Sequence, residues 1–267
     1  MFVLALFAAV VPLVLLAQRP GGTPPAAPAP GAIDHPGTFS ILGFDPETGE
    51  IGAAVQSCVF SAGNGVLWAE AGVGAVATQA IVDVSYGPKG LELLRQGNAP
   101  KDVIKKLLDQ DTDPGYRGNA WPKAGRQVAV MNPKGEFAAY TGPGATEWKG
   151  DKQGKYSTAQ GNILAGPDVV ARMVEAFEKP PVDENGRRKH ISIRLVEALE
   201  GGQSAGGDKR CQQSAALIVV KKDAGVWLHN DVVLRLQVDD NPEPIKELRR
   251  LVEKSPPGRG RGGRGGE

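Results

Sequence analysis

Cysteine is almost missing from this 267-residue chain: Cys58 and Cys211 are the only two, and they form neither a CxxC pair nor a metal-ligand spacing. A zinc ribbon and a thioredoxin-like redox motif are thereby excluded. Histidine is nearly as scarce, with three residues, one of which, His35, lies in a Pro/Ala/Gly-rich stretch. A His-based triad or a zinc site is therefore not expected, and no metal or other cofactor is implied. No GxSxG nucleophile elbow and no HExxH helix is read, and the Gly201 to Lys209 segment lacks the GK[ST] ending of a phosphate-binding loop. Charge of one sign is not in excess either, since 31 Lys plus Arg against 30 Asp plus Glu leave +1. Nothing in that balance points to nucleic acid or to an anionic membrane.

What is present begins with an apolar run. Residues 2 to 17, FVLALFAAVVPLVLLA, carry no charge and end in Ala17, the shape of a signal-peptide core. The run is short for a membrane span and is broken by Pro12, so export with cleavage near Ala17 is the reading, an uncleaved anchor being the alternative. The Lys or Arg that should open a signal peptide is missing after Met1. Residues 18 to 37 are Pro, Ala and Gly with almost nothing to bury and read as a spacer. In an oxidising compartment Cys58 and Cys211 can pair if the first hairpin and the Gln213 strand are neighbours; two separately buried thiols are the alternative. The Arg/Gly tail from Ser255 to Glu267 reads as a disordered terminus in preference to an RNA-binding repeat.

Between spacer and tail, 41% apolar residues overall can fill a sizeable core. Thr38 to Phe44 and Ile51 to Val55 are strands joined by the turn Asp45-Pro46-Glu47-Thr48-Gly49. A small-residue loop, Cys58 to Gly65, leads to strands at Val66 to Ala69 and Gly72 to Gln79. Two helices follow, one opened by Gly87-Pro88 and ended by Gly97, the next from Pro100 to about Gln110. Asp109 to Asp113 imitates a calcium loop but has Pro114 and Ala120 where Gly and Glu belong, so it reads as a solvated helix end. A second hairpin spans Arg126 to Met131 and Phe137 to Thr141, and Tyr156 to Asn162 adds a strand. Helices follow Gly166-Pro167-Asp168 and start at Ile191, the second stopped by Gly201-Gly202. Strands at Gln213 to Val220, Gly225 to His229 and Val232 to Val238 precede a last helix. This order suits an α+β fold of two packed sheets with helices on the outer faces better than a wound βαβ sheet.

Chemistry concentrates at Thr38, at the head of the first strand. If a cut before it freed its α-amino group, nucleophile and general base would sit in one residue; otherwise Thr38 is an ordinary strand threonine. Asp208, Lys209 and Arg210 follow a Gly-rich turn and suit either a pocket rim that takes a carboxylate-bearing substrate or a solvated turn. Ser85-Tyr86 before the first helix is similar, with a helix cap as its plain reading.

The blocks TFSILGFDPETGEIGAAVQS, WAEAGVGAVATQ, SYGPKGLELL, QGNILAGPDVV, AGGDKRCQQSAALIVV and LRLQVDDNPEPIKELRRL together resemble the bacterial family catalogued as domain of unknown function 1028, from Thr38 to Glu253. The resemblance implies a domain over residues 38 to 254 with the four-layer αββα sandwich of N-terminal-nucleophile hydrolases, two antiparallel sheets between helix layers. Relatives begin Met-Thr at the place of Thr38, whereas here a leader intervenes, so a second cut at Gly37-Thr38 would be needed. Cys58, Cys211 and the stretch Gly115 to Gly125 depart from the family pattern. The implied activity is an amidohydrolase acting on a small amide or peptide bond, with backbone N–H groups or the amides of Gln79 or Asn162 holding the oxyanion. The alternative is an inactive exported ligand-binding or scaffold domain on the same fold. The implied partner is a small-molecule amide or peptide. Self-association is left open, and membrane contact would come only through an uncleaved signal anchor.

Overall fold

The computed structural model of the protein describes residues 37–116, 118–225 and 230–255. The signal segment, the spacer up to residue 36, all but the first residue of the strand expected from Gly225 to His229, and the tail beyond Ser255 lie outside the described residues.

The first hairpin is β1 (Thr38–Asp45) and β2 (Glu50–Ser57). Asp45 sets its turn, its carboxylate accepting the Glu47 and Thr48 backbone N–H groups at 3.0 and 3.3 Å. A short helical turn α1 (Gly63–Val66), strands β3 (Leu67–Glu70) and β4 (Gly74–Ala80), and helices α2 (Tyr86–Arg95) and α3 (Pro100–Gln110) follow. Next come β5 (Arg126–Met131), β6 (Phe137–Thr141), β7 (Gly150–Gln153), β8 (Ser157–Asn162), α4 (Asp168–Glu178) and α5 (Ile191–Ser204). The chain closes with β9 (Ser214–Val220), β10 (Val232–Val238) and α6 (Pro244–Lys254). The strands make two antiparallel sheets, one ordered β10-β9-β2-β1-β8-β7 and one ordered β3-β4-β5-β6.

Alternation along β1 decides the layering. Phe39 and Ile41 face helices α4, α5 and α6, packing with Met173, Phe177, Leu195 and Leu248. Leu42 faces the other way and joins Ile51, Val55, Ala77, Ala129 and Met131 between the sheets. Beyond the second sheet, Val76, Val128 and Val130 pack on Leu91, Leu94, Val103 and Leu107 of α2 and α3. The result is a mixed α+β fold whose described residues hold two antiparallel sheets and six α-helices, with helices on both outer faces. Gly43 shows how closely the layers approach, because a Cβ there would lie 2.4 Å from the Phe177 ring.

Four expectations are corrected. The second strand pair starts at Leu67, because Gly63 to Val66 winds into α1. Strand β7 was not expected: its sequence GDKQ has no β-branched or aromatic residue, and as an edge strand it gains order from its ladder with β8. Gly201-Gly202 does not stop α5, which runs on to Ser204; Cβ atoms at the two glycines would fall 2.8 Å from the Arg172 carbonyl and 2.7 Å from Met173, so they let α5 cross α4 closely. Asp111 is no solvated helix end. Its side chain is fully buried, pairs with the equally buried Arg126 at 2.9 Å and accepts the Tyr86 hydroxyl at 2.7 Å.

Candidate functional site

Thr38 opens β1 in the middle of the larger sheet, its register partners being Ser57 on β2 and Asn162 on β8. Neighbours on both sides fix its backbone, and it is 2% exposed. The Thr38 hydroxyl shares a hydrogen bond with the Ser57 hydroxyl at 3.0 Å, and Ser57 donates in turn to the Gly37 carbonyl oxygen at 2.5 Å. A second donor reaches that carbonyl, Arg210 Nη2 at 2.9 Å. The peptide group joining Gly37 to Thr38 is therefore polarised by a hydroxyl and a guanidinium at once.

Asp208 orients the guanidinium. Its buried carboxylate accepts Arg210 Nε at 3.1 Å, Arg210 Nη2 at 2.9 Å, the Arg210 backbone N–H at 3.0 Å and the Cys58 backbone N–H at 3.3 Å. The Gly-rich turn expected to present charge to a substrate thus turns it toward the Gly37 carbonyl. Gly37 must be small here, since a Cβ would meet Asp208 Oδ2 at 2.7 Å. β2 and β9 are adjacent, and just beyond their paired ends Cys58 and Cys211 are joined in a disulfide with Cα atoms 5.2 Å apart. The bridge ties the end of β2 to the segment that carries Asp208 and Arg210.

Behind Thr38 the space between the sheets is polar. Gln79 on β4 donates to Gln127 Oε1 at 2.8 Å, to the Thr38 carbonyl at 3.3 Å and to the Gln160 carbonyl at 3.4 Å, and accepts from the Ser40 hydroxyl at 2.6 Å. Asn162 donates to Gln127 Oε1 at 3.1 Å, and Gln127 to the Gly161 carbonyl at 2.8 Å. Gln79 and Asn162 therefore both lie beside Thr38, with amide hydrogens directed into this network, where they hold the strand ends in place. The chain leaves those strand ends in the left-handed region at two non-glycine residues, Ala80 (φ 66°) after Gln79 and Ile163 (φ 54°) after Asn162. Such backbone strain collects where surrounding structure demands a particular direction of chain.

A cavity of about 220 Å³ adjoins Thr38 and Gln79. Its walls are Val59, Phe60, Ala62, Val66, Ala80 and Val82, completed by Ser61 and Gly65. A larger depression of about 460 Å³ lies over α4 and α5, lined by Asp168, Arg172, Glu175 and Ser204. A Gly-x-Ser-x-Gly string, read above as missing, does occur there as Gly202-Gln203-Ser204-Ala205-Gly206. It ends a helix instead of linking strand to helix, and Ser204 donates to the Gly201 carbonyl at 2.7 Å, so it is no nucleophile elbow.

Neither Ser85 nor Tyr86 lines the cavity beside Thr38. Ser85 makes no side-chain cap hydrogen bond at the start of α2, and Tyr86 packs in the core between the second sheet and its outer helices. Burial and the neighbouring Asp111 push the Tyr86 hydroxyl above its usual range. Burial also raises the Asp111 carboxyl, but hydrogen bonds from Tyr86, the Asp113 backbone and Arg126 outweigh it and leave the group below its ordinary value. No cluster among the described residues could hold a metal ion.

The sequence reading missed Ser57, Gln127, Gln160 and Ser40. The sequence alone does not single them out, because what marks each is burial: a polar side chain within a strand whose residues are all buried, or all but one.

The profile of a family described as "Family of unknown function (DUF1028)" matches residues 38–248, so the match begins at Thr38 itself. Among solved structures, the crystal structure of protein SPO2555 from Silicibacter pomeroyi, assigned to the same family, is similar at 30% identity with a TM-score of 0.69, covering 82% of this chain and 88% of that one. No curated protein matches the chain. With its profile match starting at the residue whose preceding carbonyl is held by two donors, this chain belongs to the DUF1028 family.

Proposed function

We propose that the protein is an exported amidohydrolase of the N-terminal-nucleophile type, with Thr38 as nucleophile, acting on a small amide or peptide bond. The observation that carries the reading is the pair of donors on the Gly37 carbonyl, Ser57 Oγ at 2.5 Å and Arg210 Nη2 at 2.9 Å, with Ser57 also bonded to the attacking hydroxyl. Charge that develops on the Gly37 oxygen during attack meets donors already in place. In this mechanism Thr38 Oγ1 gives up its proton as it adds to the Gly37 carbonyl carbon, the C–N bond to Thr38 breaks and the nitrogen takes up that proton to become a free amine. Water then hydrolyses the Gly37–Thr38 ester, leaving a Gly37 carboxylate and restoring the hydroxyl.

The freed α-amino group, with an ordinary pKa of about 8, serves as the base for turnover. In the uncut chain that nitrogen is an amide and accepts no proton. An exposed cysteine held in a disulfide suits the oxidising compartment to which residues 2 to 17 would direct the chain.

Mass spectrometry of the mature N-terminus tests the reading. Cleavage should give a chain starting at Thr38 that hydrolyses an amide the uncut chain leaves alone. Thr38→Ala should abolish both cleavage and turnover, and Thr38→Ser should retain part of each. An exported chain that stays uncut, or an active Thr38→Ala variant, would refute it and favour a binding or scaffold role on this fold.

A further inference from the structure

We propose that, given the nucleophilic role of Thr38 argued above, the cavity beside it is the acyl-side specificity pocket, and that it selects neutral aliphatic or aromatic acyl groups of about seven non-hydrogen atoms over charged ones.

Among the described residues no ionisable side chain lines the cavity. Its walls are apolar apart from Thr38, Ser61 and Gln79, and Gln79 spends its amide on the network between the sheets. Ser61 is also engaged, its oxygen accepting from Asn64 at 2.6 Å and from Gln237 at 2.8 Å. An acyl chain bearing a carboxylate or an ammonium would lose its water inside these walls without a counter-charge there, because the charged pair of the site, Asp208 and Arg210, stands at the Gly37 carbonyl and not among them. At roughly 30 Å³ per water-sized group, a volume of about 220 Å³ takes about seven such groups.

Two further observations mark these walls as a recognition surface. Among the described residues four large hydrophobics are exposed, and two of them belong to this place: Phe60, 67% exposed, is a wall residue, and Val84, 50% exposed, is the nearest neighbour a Cβ on Gly65 would meet, at 3.3 Å. Exposed apolar side chains gathered at a cavity mark ligand sites more often than scattered ones do. The walls also hold two non-glycine residues in the left-handed backbone region, Ser61 (φ 55°) and Ala80 (φ 66°).

The test uses the mature chain and a matched set of N-acyl aminocoumarins: acetyl, 4-methylpentanoyl, phenylacetyl, glutaryl and 5-aminopentanoyl. The 4-methylpentanoyl and phenylacetyl amides should exceed the glutaryl and aminopentanoyl amides by at least 100-fold in kcat/KM, and acetyl by at least 10-fold. Gly65→Leu, which places a large side chain at a wall position where a Cβ would meet Val84 at 3.3 Å, should erase the advantage over acetyl, and Phe60→Ser at the rim should reduce it several-fold. Gly65→Ala provides a milder variant if the leucine disturbs α1. Binding of 4-methylpentanamide to a Thr38→Ala chain produced to begin at residue 38, followed by NMR shifts at Phe60 and Val66, gives a readout that needs no nucleophile. Equal or better turnover of the charged amides would overturn the pocket assignment while leaving Thr38 as nucleophile. Binding of the neutral amide that Gly65→Leu abolishes, with no turnover of any substrate, would uphold the pocket and refute the nucleophile. Neither binding nor turnover would overturn both.

Discussion

Replacing both bridged cysteines, Cys58→Ala with Cys211→Ala, should destabilise the domain more than any single surface change. The bridge closes a loop of 153 residues. For a loop of that length the chain-entropy relation gives about 17 cal/mol/K removed from the unfolded chain, or ~5 kcal/mol at 25 °C. A compact denatured ensemble already loses some of that freedom, which brings the expected cost to ~3–5 kcal/mol. Direct packing adds little, because Cys211 is exposed and Cys58 half-buried, so alanines leave no deep cavity. With a urea slope of about 3 kcal/mol per M, a loss of ~4 kcal/mol moves the unfolding midpoint down by ~1.3 M at constant slope. The assay is equilibrium urea unfolding of the double variant beside the oxidised parent and the parent under dithiothreitol, which should coincide with the variant. A midpoint shift below ~0.3 M would refute the reasoning, since the unfolded chain would then owe nothing to this link.

Two further predictions concern the site and its surroundings. Ser57→Ala removes one of two donors on the Gly37 carbonyl and should slow cleavage before Thr38 by ~10²–10³-fold, measured as conversion of purified precursor by gel shift; an unchanged rate would remove Ser57 from the mechanism. Asp111→Asn leaves the buried Arg126 without its counter-charge and should cost ~3–5 kcal/mol at pH 7 by urea unfolding. Its hydrogen bonds hold the folded-state pKa of Asp111 below its ordinary value, so the pair's contribution is complete above that ordinary value and is lost as pH falls through the lower, folded one. The gap between parent and Asp111→Asn should therefore narrow below about pH 4, and a gap that stays constant from pH 7 to pH 3 would show that ionisation of Asp111 does not carry the pair's contribution.

Much of the framework was legible because its signals are local. Asp45 to Gly49 spells out a turn, and the periodic apolar residues of α4 and α6 announce buried faces, so these elements lie within a residue or two of their expected places. Strand β7 was not legible, since Gly150 to Gln153 has no propensity of its own and borrows order from β8. Gly201-Gly202 misled for the opposite reason: the local rule says stop, while the crossing with α4 needs small residues inside the helix. At the site, Thr38 could be picked out by its place at a strand head. The grip on Gly37 could not, because it depends on Ser57 and Arg210, which reach the same atom from 20 and 173 positions away. Asp111 shows the same limit, its partner Arg126 lying 15 residues downstream behind a stretch that looks like an insertion.

That span along the chain orders events in time. The hairpin β1–β2 can form as soon as it is synthesised, but Arg210 and the strand β9 that braces β2 are among the last parts of the domain to be made. A nascent or half-translocated chain therefore holds Thr38 and Ser57 without the guanidinium, and its Gly37–Thr38 bond is an ordinary amide. On the proposed mechanism the activating contact arrives only when the C-terminal third has docked, so cleavage before Thr38 would wait until the domain has folded. If Thr38 is the nucleophile proposed above, Arg210 serves in this sense as a completion check, its contact with the Gly37 carbonyl forming only in a folded domain.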